Sequence, residues 1–167
     1  MAQNPEYHPL VSFLTVNFNQ AEVTVQLVES MQQLTYPNWE CIVVDNGSEP
    51  SNLSEKLASY SRIKYVKSEE NLGFAGGNNL GYGHCQGEYI FLINNDTELM
   101  PGFLEPLVAF AESKPQLGAL SPKICYFNQP DLIQYAGSLE MNKTTIRNNS
   151  IGHKEQDRGQ YDDSRKT

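Results

Sequence analysis

Short apolar runs alternate with stretches of helical periodicity along most of the chain, and the first strand-like runs stop at clusters of Asn, Asp, Gly or Ser. Leu10 to Val16 predicts a strand closed by Asn17-Phe18-Asn19. Leu27, Val28, Met31 and Leu34 then recur at helical spacing, with Asn19 and Glu22 in capping-box positions and Tyr36-Pro37 as the stop. Trp39 to Val44 is nearly continuous in apolar character, as suits a strand covered on both faces, and it ends in Asp45-Asn46-Gly47-Ser48. A second helix is predicted from Asn52, again with a Glu three residues on, carrying Leu53, Leu57 and Tyr60 on one face. Ile63 to Val66 and Tyr89 to Ile93 predict two more strands, with a loop feeding a glycine-rich helix over Asn71 to Gly83 between them. Pro101 opens a helix whose stripe is Leu104, Leu107, Val108 and Ala111, ending near Lys114-Pro115, and Leu117 to Tyr126 is a further strand region. This alternation predicts an α/β fold: a mostly parallel sheet with helices on both faces. Residues 1–9 are an N-terminal extension, 10–141 the folded unit, and 142–167 a polar tail that is a weak folder alone.

Composition narrows the function classes. A chain of 167 residues suits one domain with a real core, and a formal charge of −8 without any Lys/Arg cluster argues against a nucleic-acid partner. Cys41 and Cys125 lie inside apolar runs and read as buried free thiols, which favours a reducing, cytoplasmic setting. No signal-peptide pattern begins the chain, and no apolar run approaches the ~20 residues of a membrane-spanning helix. His8, His84 and His153 lack metal-ligand spacing.

The candidate chemistry sits at the C-terminal ends of the strands, where open α/β sheets place ligands. Asn17 to Asn19, Asp45, and Asn94 to Asp96 follow the first, second and fourth strands. Each alone is an ordinary turn sequence; three at strand ends of one sheet point to a crevice. Asp45 could accept a hydrogen bond from a base N–H or a sugar hydroxyl. Asp96, flanked by neutral Asn94 and Asn95, suits Mg²⁺ or Mn²⁺ brought in with a diphosphate and does not suit a preformed Ca²⁺ cage. The P-loop, the dinucleotide fingerprint and the Gly-x-Ser-x-Gly nucleophile elbow are all missing.

In order and spacing, Val11 to Asn19, Ile42 to Ser48, Asn71 to Asn79 and Leu92 to Thr97 resemble the family 2 glycosyltransferases, most closely the rhamnosyltransferase-like branch. The resemblance spans roughly Leu10 to Asp162, including the Gly152 to Asp162 segment. It implies a GT-A fold, truncated here, in which 10–141 binds a nucleotide-diphospho-sugar, a UDP- or dTDP-sugar, across the strand ends. Val16, Asn17 and Phe18 would flank the base, Asp45 would contact it and Asn95 would face the ribose. Gly73, Gly76 and Asn78 would belong to the segment that approaches the donor. Asp96 would be the metal ligand of a DxD-type motif whose first two positions are here Asn94 and Asn95.

The implied reaction is inverting transfer to a hydroxyl of a saccharide or lipid-linked acceptor, in cell-surface polysaccharide synthesis. The family's general base lies in a downstream acceptor-binding half, beyond Thr167; Asp157, Asp162 and Asp163 read as solvated carboxylates. The expectation is therefore a donor-binding half, weak or inactive alone, whose full-length form associates peripherally with the inner face of the membrane. Apolar residues around Ile124, Tyr126, Phe127 and Tyr135 would promote self-association of the shorter chain. Two alternatives are a noncatalytic sugar-nucleotide-binding module and a sugar-phosphate nucleotidyltransferase. The second expects a basic residue just after the first strand, where this chain has Asn17-Phe18-Asn19-Gln20.

Overall fold

A computed structural model describes residues 7–139, 144–146 and 148–163; the predicted start of the tail at Asn142 lies outside them. The chain divides into two compact units, Met1–Ala109 and Phe110–Thr167.

The first unit is built on a four-stranded parallel sheet. Its elements in chain order are β1 (Val11–Asn17), α1 (Ala21–Met31), β2 (Trp39–Asn46), α2 (Leu53–Leu57), β3 (Ile63–Ser68), α3 (Gly73–Tyr82), β4 (Tyr89–Leu92) and the start of α4 (Leu104–Glu112). The strand order is β3-β2-β1-β4, so the chain steps outward from β1 to β3 and then returns to the other side of β1. That reversal puts a topological switch point between β1 and β4, where such sheets bind ligands.

The period of two along each strand sorts side chains onto the two faces. On β1 and β2, Val11, Phe13, Cys41 and Val43 pack with Leu27, Val28, Met31, Leu53 and Leu104 from the helices. Leu14, Ile42 and Val44 face the other way, with Val16 and Leu80 packed against them. Continuing the same alternation, Asn17 and Asp45 fall on the α1 face and Asn46 on the α3 face. A Cβ at Gly77 would stand 2.8 Å from Val16 Cγ1, and one at Gly81 would collide with Leu14 Cδ1 and stand 2.7 Å from Val44 Cγ2. Those two glycines let α3 sit directly on the sheet.

Several local expectations change. Asn19 and Glu22 form no capping box: Gln20 is the cap residue, without a side-chain cap, and Asn19 takes φ +55° and accepts from the Glu49 N–H. Glu22 instead pairs with Lys56 at 2.8 Å. Asn52 likewise makes no side-chain cap, and α2 ends at Leu57.

The second unit holds β5 (Ile124–Tyr126) and β6 (Gln129–Tyr135), an antiparallel pair. Only the last three residues of the predicted Leu117 to Tyr126 strand are extended into a ladder, because Pro122 interrupts the stretch before it. The segment read as a polar tail lines up along β6. Ile133 N–H donates to Glu155 O at 2.9 Å, Lys154 N–H to Ile133 O at 2.8 Å, and Ile151 N–H to Gly137 O at 2.7 Å. Ile133 is wholly buried. Asp157 and Asp162, expected in solvent, both bind Lys123 Nζ, at 2.7 and 2.6 Å. Cys41 is buried as expected, whereas Cys125 is half-buried with its thiol directed at Asp157.

Candidate functional site

Three strand ends meet along one edge of the sheet, and a hydrogen-bonded chain joins them. Register places Asn17 beside Asp45. Asn17 is 1 % exposed and makes four hydrogen bonds: its Nδ2 donates to Asp45 Oδ1 and to Ser48 Oγ, both at 3.0 Å, and its Oδ1 accepts from Gln20 N–H at 3.2 Å and Thr24 Oγ1 at 3.0 Å. The main-chain donor at Gln20 fixes which end of the Asn17 amide is oxygen.

Asp45 is fully buried. Besides Asn17, it accepts from Ser51 Oγ and from the Tyr65 hydroxyl at 2.9 Å. Burial pushes its carboxyl up, but hydrogen bonds from Ser48, Ser51, Tyr65 and Asn17 outweigh that and hold it below the usual carboxylate value. Burial raises the Tyr65 hydroxyl above its ordinary value, and the neighbouring carboxylate adds to the effect.

On the other side of β1, Asn95 Nδ2 reaches Thr24 Oγ1 at 3.1 Å and Gln20 Oε1 at 3.3 Å. Thr24 is the joint of the site: it accepts from the loop after β4 and donates to the Asn17 side chain at the end of β1. Asp96 follows in an exposed turn, with Asn94 exposed beside it. No group of three or more His, Cys, Asp or Glu among the described residues could hold a metal by itself. A single exposed carboxylate fits a divalent cation that completes its shell with ligand phosphate oxygens.

On the opposite sheet face, Asn46 pins the start of α3. Its Oδ1 accepts from Leu72 N–H at 3.0 Å, and its Nδ2 donates to Asn71 Oδ1 at 3.0 Å and to Gly73 O at 3.2 Å. Gly47, at φ +77°, allows this closeness, since a Cβ there would stand 2.6 Å from the Glu70 carbonyl carbon. Gly73 is exposed at φ +69° and Gly76 half-buried, while Asn78 Nδ2 bonds Phe74 O within the helix. Val16 packs under Gly77, and Phe18 is 45 % exposed at the mouth.

A cleft of about 190 Å³ opens beside the network, lined by Asn17, Asn19, Ser48, Glu49 and Ser51 with Ala21 and Pro50. Complete small-ligand sites are commonly ~300–1,000 Å³, so this recess suits one ring of a ligand rather than all of it. Asp45 does not reach it directly; Ser48 and Ser51 stand between.

Sequence reasoning missed Thr24, Ser48, Ser51, Tyr65 and Asn46. Thr24 carried a usable signal, a polar residue on the apolar stripe of Leu27, Val28 and Met31. Tyr65 and Ser51 carried none, because only the β2–β3 pairing and the loop after Asn46 bring them to Asp45.

The model of glycosyl transferase family 2 matches residues 12–161. An uncharacterised glycosyltransferase of Haemophilus influenzae is 30 % identical over 115 residues, covering 67 % of this chain and 36 % of that protein. The putative colanic acid biosynthesis glycosyl transferase WcaA of Escherichia coli is 31 % identical over 108 residues, covering 61 % of the chain and 38 % of that protein. Among solved structures, the mannosyltransferase PcManGT of Pyrobaculum calidifontis, in complex with GDP-Man and Mn²⁺, matches with a TM-score of 0.65 at 22 % identity, covering 75 % of this chain and 38 % of that one. The chain thus spans well under half the length of each of these proteins.

Proposed function

Since the chain belongs to the family 2 glycosyl transferases and has their GT-A architecture, we propose that it is the donor-binding part of an inverting enzyme that moves a sugar from a UDP- or dTDP-sugar to a hydroxyl of a saccharide or lipid-linked acceptor. Similarity to a colanic acid biosynthesis protein supports a role in cell-surface polysaccharide synthesis. The observation that carries the reading is the join at the switch point: Thr24 ties Asn95, next to the exposed Asp96, to Asn17, next to the buried Asp45.

In this reading the base enters the cleft beside Asn17 and Phe18, the ribose lies toward Asn95, and the diphosphate lies at Asp96. Gly73, Gly76 and Asn78 border the donor from α3. Asp96 would hold Mg²⁺ or Mn²⁺, and that cation would supply positive charge to the departing diphosphate. The chain's own residues bind and orient the donor. The general base belongs to the acceptor-binding part. No helix among the described residues is long and apolar enough to cross a membrane.

Calorimetry with UDP and Mn²⁺ tests the assignment. Binding should be metal-dependent and should be lost in Asp96→Ala; metal-dependent affinity unchanged by that substitution would remove Asp96 from the role.

A further inference from the structure

We propose that Ser51, and not Asp45 itself, reads the base, presenting a fixed hydrogen-bond acceptor that selects bases with a ring N–H, as in uracil, thymine and guanine. The inference rests on the donor-binding reading above.

An ionised carboxylate only accepts, so every hydroxyl that touches Asp45 must donate to it. Ser51 and Tyr65 therefore both point their hydrogens at Oδ2. Ser48 Oγ already receives Asn17 Nδ2 at 3.0 Å and Asn19 N–H at 2.9 Å, so its lone pairs are spent. Ser51 is different. It is exposed, lines the cleft, and gives its hydrogen to Asp45. With its hydrogen held by Asp45 and the Tyr65 hydroxyl also beside it, Ser51 is left with accepting capacity toward the cleft and no hydrogen to donate there. Asp45, sealed behind it, is a positioning residue: it sets the polarity of Ser51.

Uracil and thymine carry an N–H between two carbonyls, whereas cytosine has a bare ring nitrogen at the same place. A fixed acceptor attracts the first and repels the second.

Replacing Asp45 by Asn should reverse the preference. Asn17 still presents an N–H to position 45, because its oxygen is held by Gln20 N–H and Thr24. The oxygen of the introduced amide must therefore face Asn17, and its NH₂ must face Ser51 and Tyr65. Ser51 then accepts from residue 45 and turns its own hydrogen into the cleft.

The test measures dissociation constants of UDP and CDP, each with Mn²⁺, for the unchanged chain, Ser51→Ala and Asp45→Asn. The unchanged chain should prefer UDP by about tenfold, the worth of one hydrogen bond made in place of one clash of acceptors. Ser51→Ala should lose that preference, weakening UDP and relieving the clash with CDP, and Asp45→Asn should favour CDP. Should Asp45→Asn fail to fold, the exposed Ser51→Ala decides by itself. UDP affinity unchanged or improved in Ser51→Ala would overturn the inference, because a base that displaced Ser51 to reach Asp45 would gain from its removal. Equal binding of UDP and CDP by the unchanged chain would also overturn it while leaving donor binding intact. Binding of neither would overturn the donor-binding reading and this inference with it.

Discussion

Asn17→Ala isolates the worth of the buried network. The side chain makes four hydrogen bonds at 1 % exposure, but their loss is not felt equally. Gln20 is exposed, so its N–H can turn to water. Thr24 Oγ1 keeps the Gln20 carbonyl at 3.2 Å, and Ser48 Oγ keeps Asn19 N–H. Asp45 has no such recourse, since a wholly buried carboxylate loses a charge-assisted bond. That single loss is worth about 2 kcal/mol and the three others together about 1, giving about 3 kcal/mol in all. An Asn in a solvated turn, as the sequence alone suggests, would cost under ~0.5 kcal/mol. Urea unfolding should show the midpoint lowered by about 1–2 M at constant slope, with the exposed Asn94→Ala as the control. The deficit should also depend on pH. Asp45 is held below its ordinary value of 3.8, so its charged form stabilises the fold above that pH and the contribution is lost as pH falls through the folded value. Below that range the carboxyl is neutral, and the Asn17→Ala deficit should shrink to about 1 kcal/mol. A deficit below ~0.5 kcal/mol at pH 7, or one that does not shrink as pH falls through the folded value of Asp45, would refute the reasoning.

Gly81→Ala should destabilise by about 1–3 kcal/mol, because the clash with Leu14 and Val44 exceeds the helix-propensity gain of ~1 kcal/mol. Gly83→Ala, whose nearest neighbour would be 3.7 Å away at a right-handed helical φ of −63°, should be neutral or stabilising in the same melt, and the opposite ranking would contradict the packing of α3. In the second unit, Lys123→Met should reduce hydrogen-exchange protection at Ile133, Ile151 and Lys154, whose amides join β6 to the later segment. The Lys123 bond holds Asp157 below 3.8, so in the unchanged chain this protection should fall as pH drops through that range; equal protection in the variant would show the ion pairs to be idle.

The sheet was legible because its strands are apolar runs bounded by turn residues, a signal that lies within each segment. The candidate positions at the strand ends stood out for the same reason: Asp45 closes one apolar run, and Asn94 to Asp96 follow another. Pairings between distant segments were not. Thr24, Ser51 and Tyr65 look ordinary where they stand, and only the order β3-β2-β1-β4 gathers them. The first capping box failed because its side chains had other partners: Asn19 serves Glu49, Glu22 pairs with Lys56, and Asn17 already takes the Gln20 N–H. The β6 partner segment was hidden by its polar composition, since its hydrogen bonds are main-chain and its one buried anchor, Ile133, lies in β6 itself.

The path from Asn95 through Thr24 and Asn17 to Asp45 has a further property. Two of its links are carboxamides, which neither release nor take up a proton in the physiological range. It is an insulated strut, not a wire: movement of the loop after β4 reaches Asp45 as a displacement, but no charge travels with it. Asp45 therefore exchanges no proton along this path with the loop after β4.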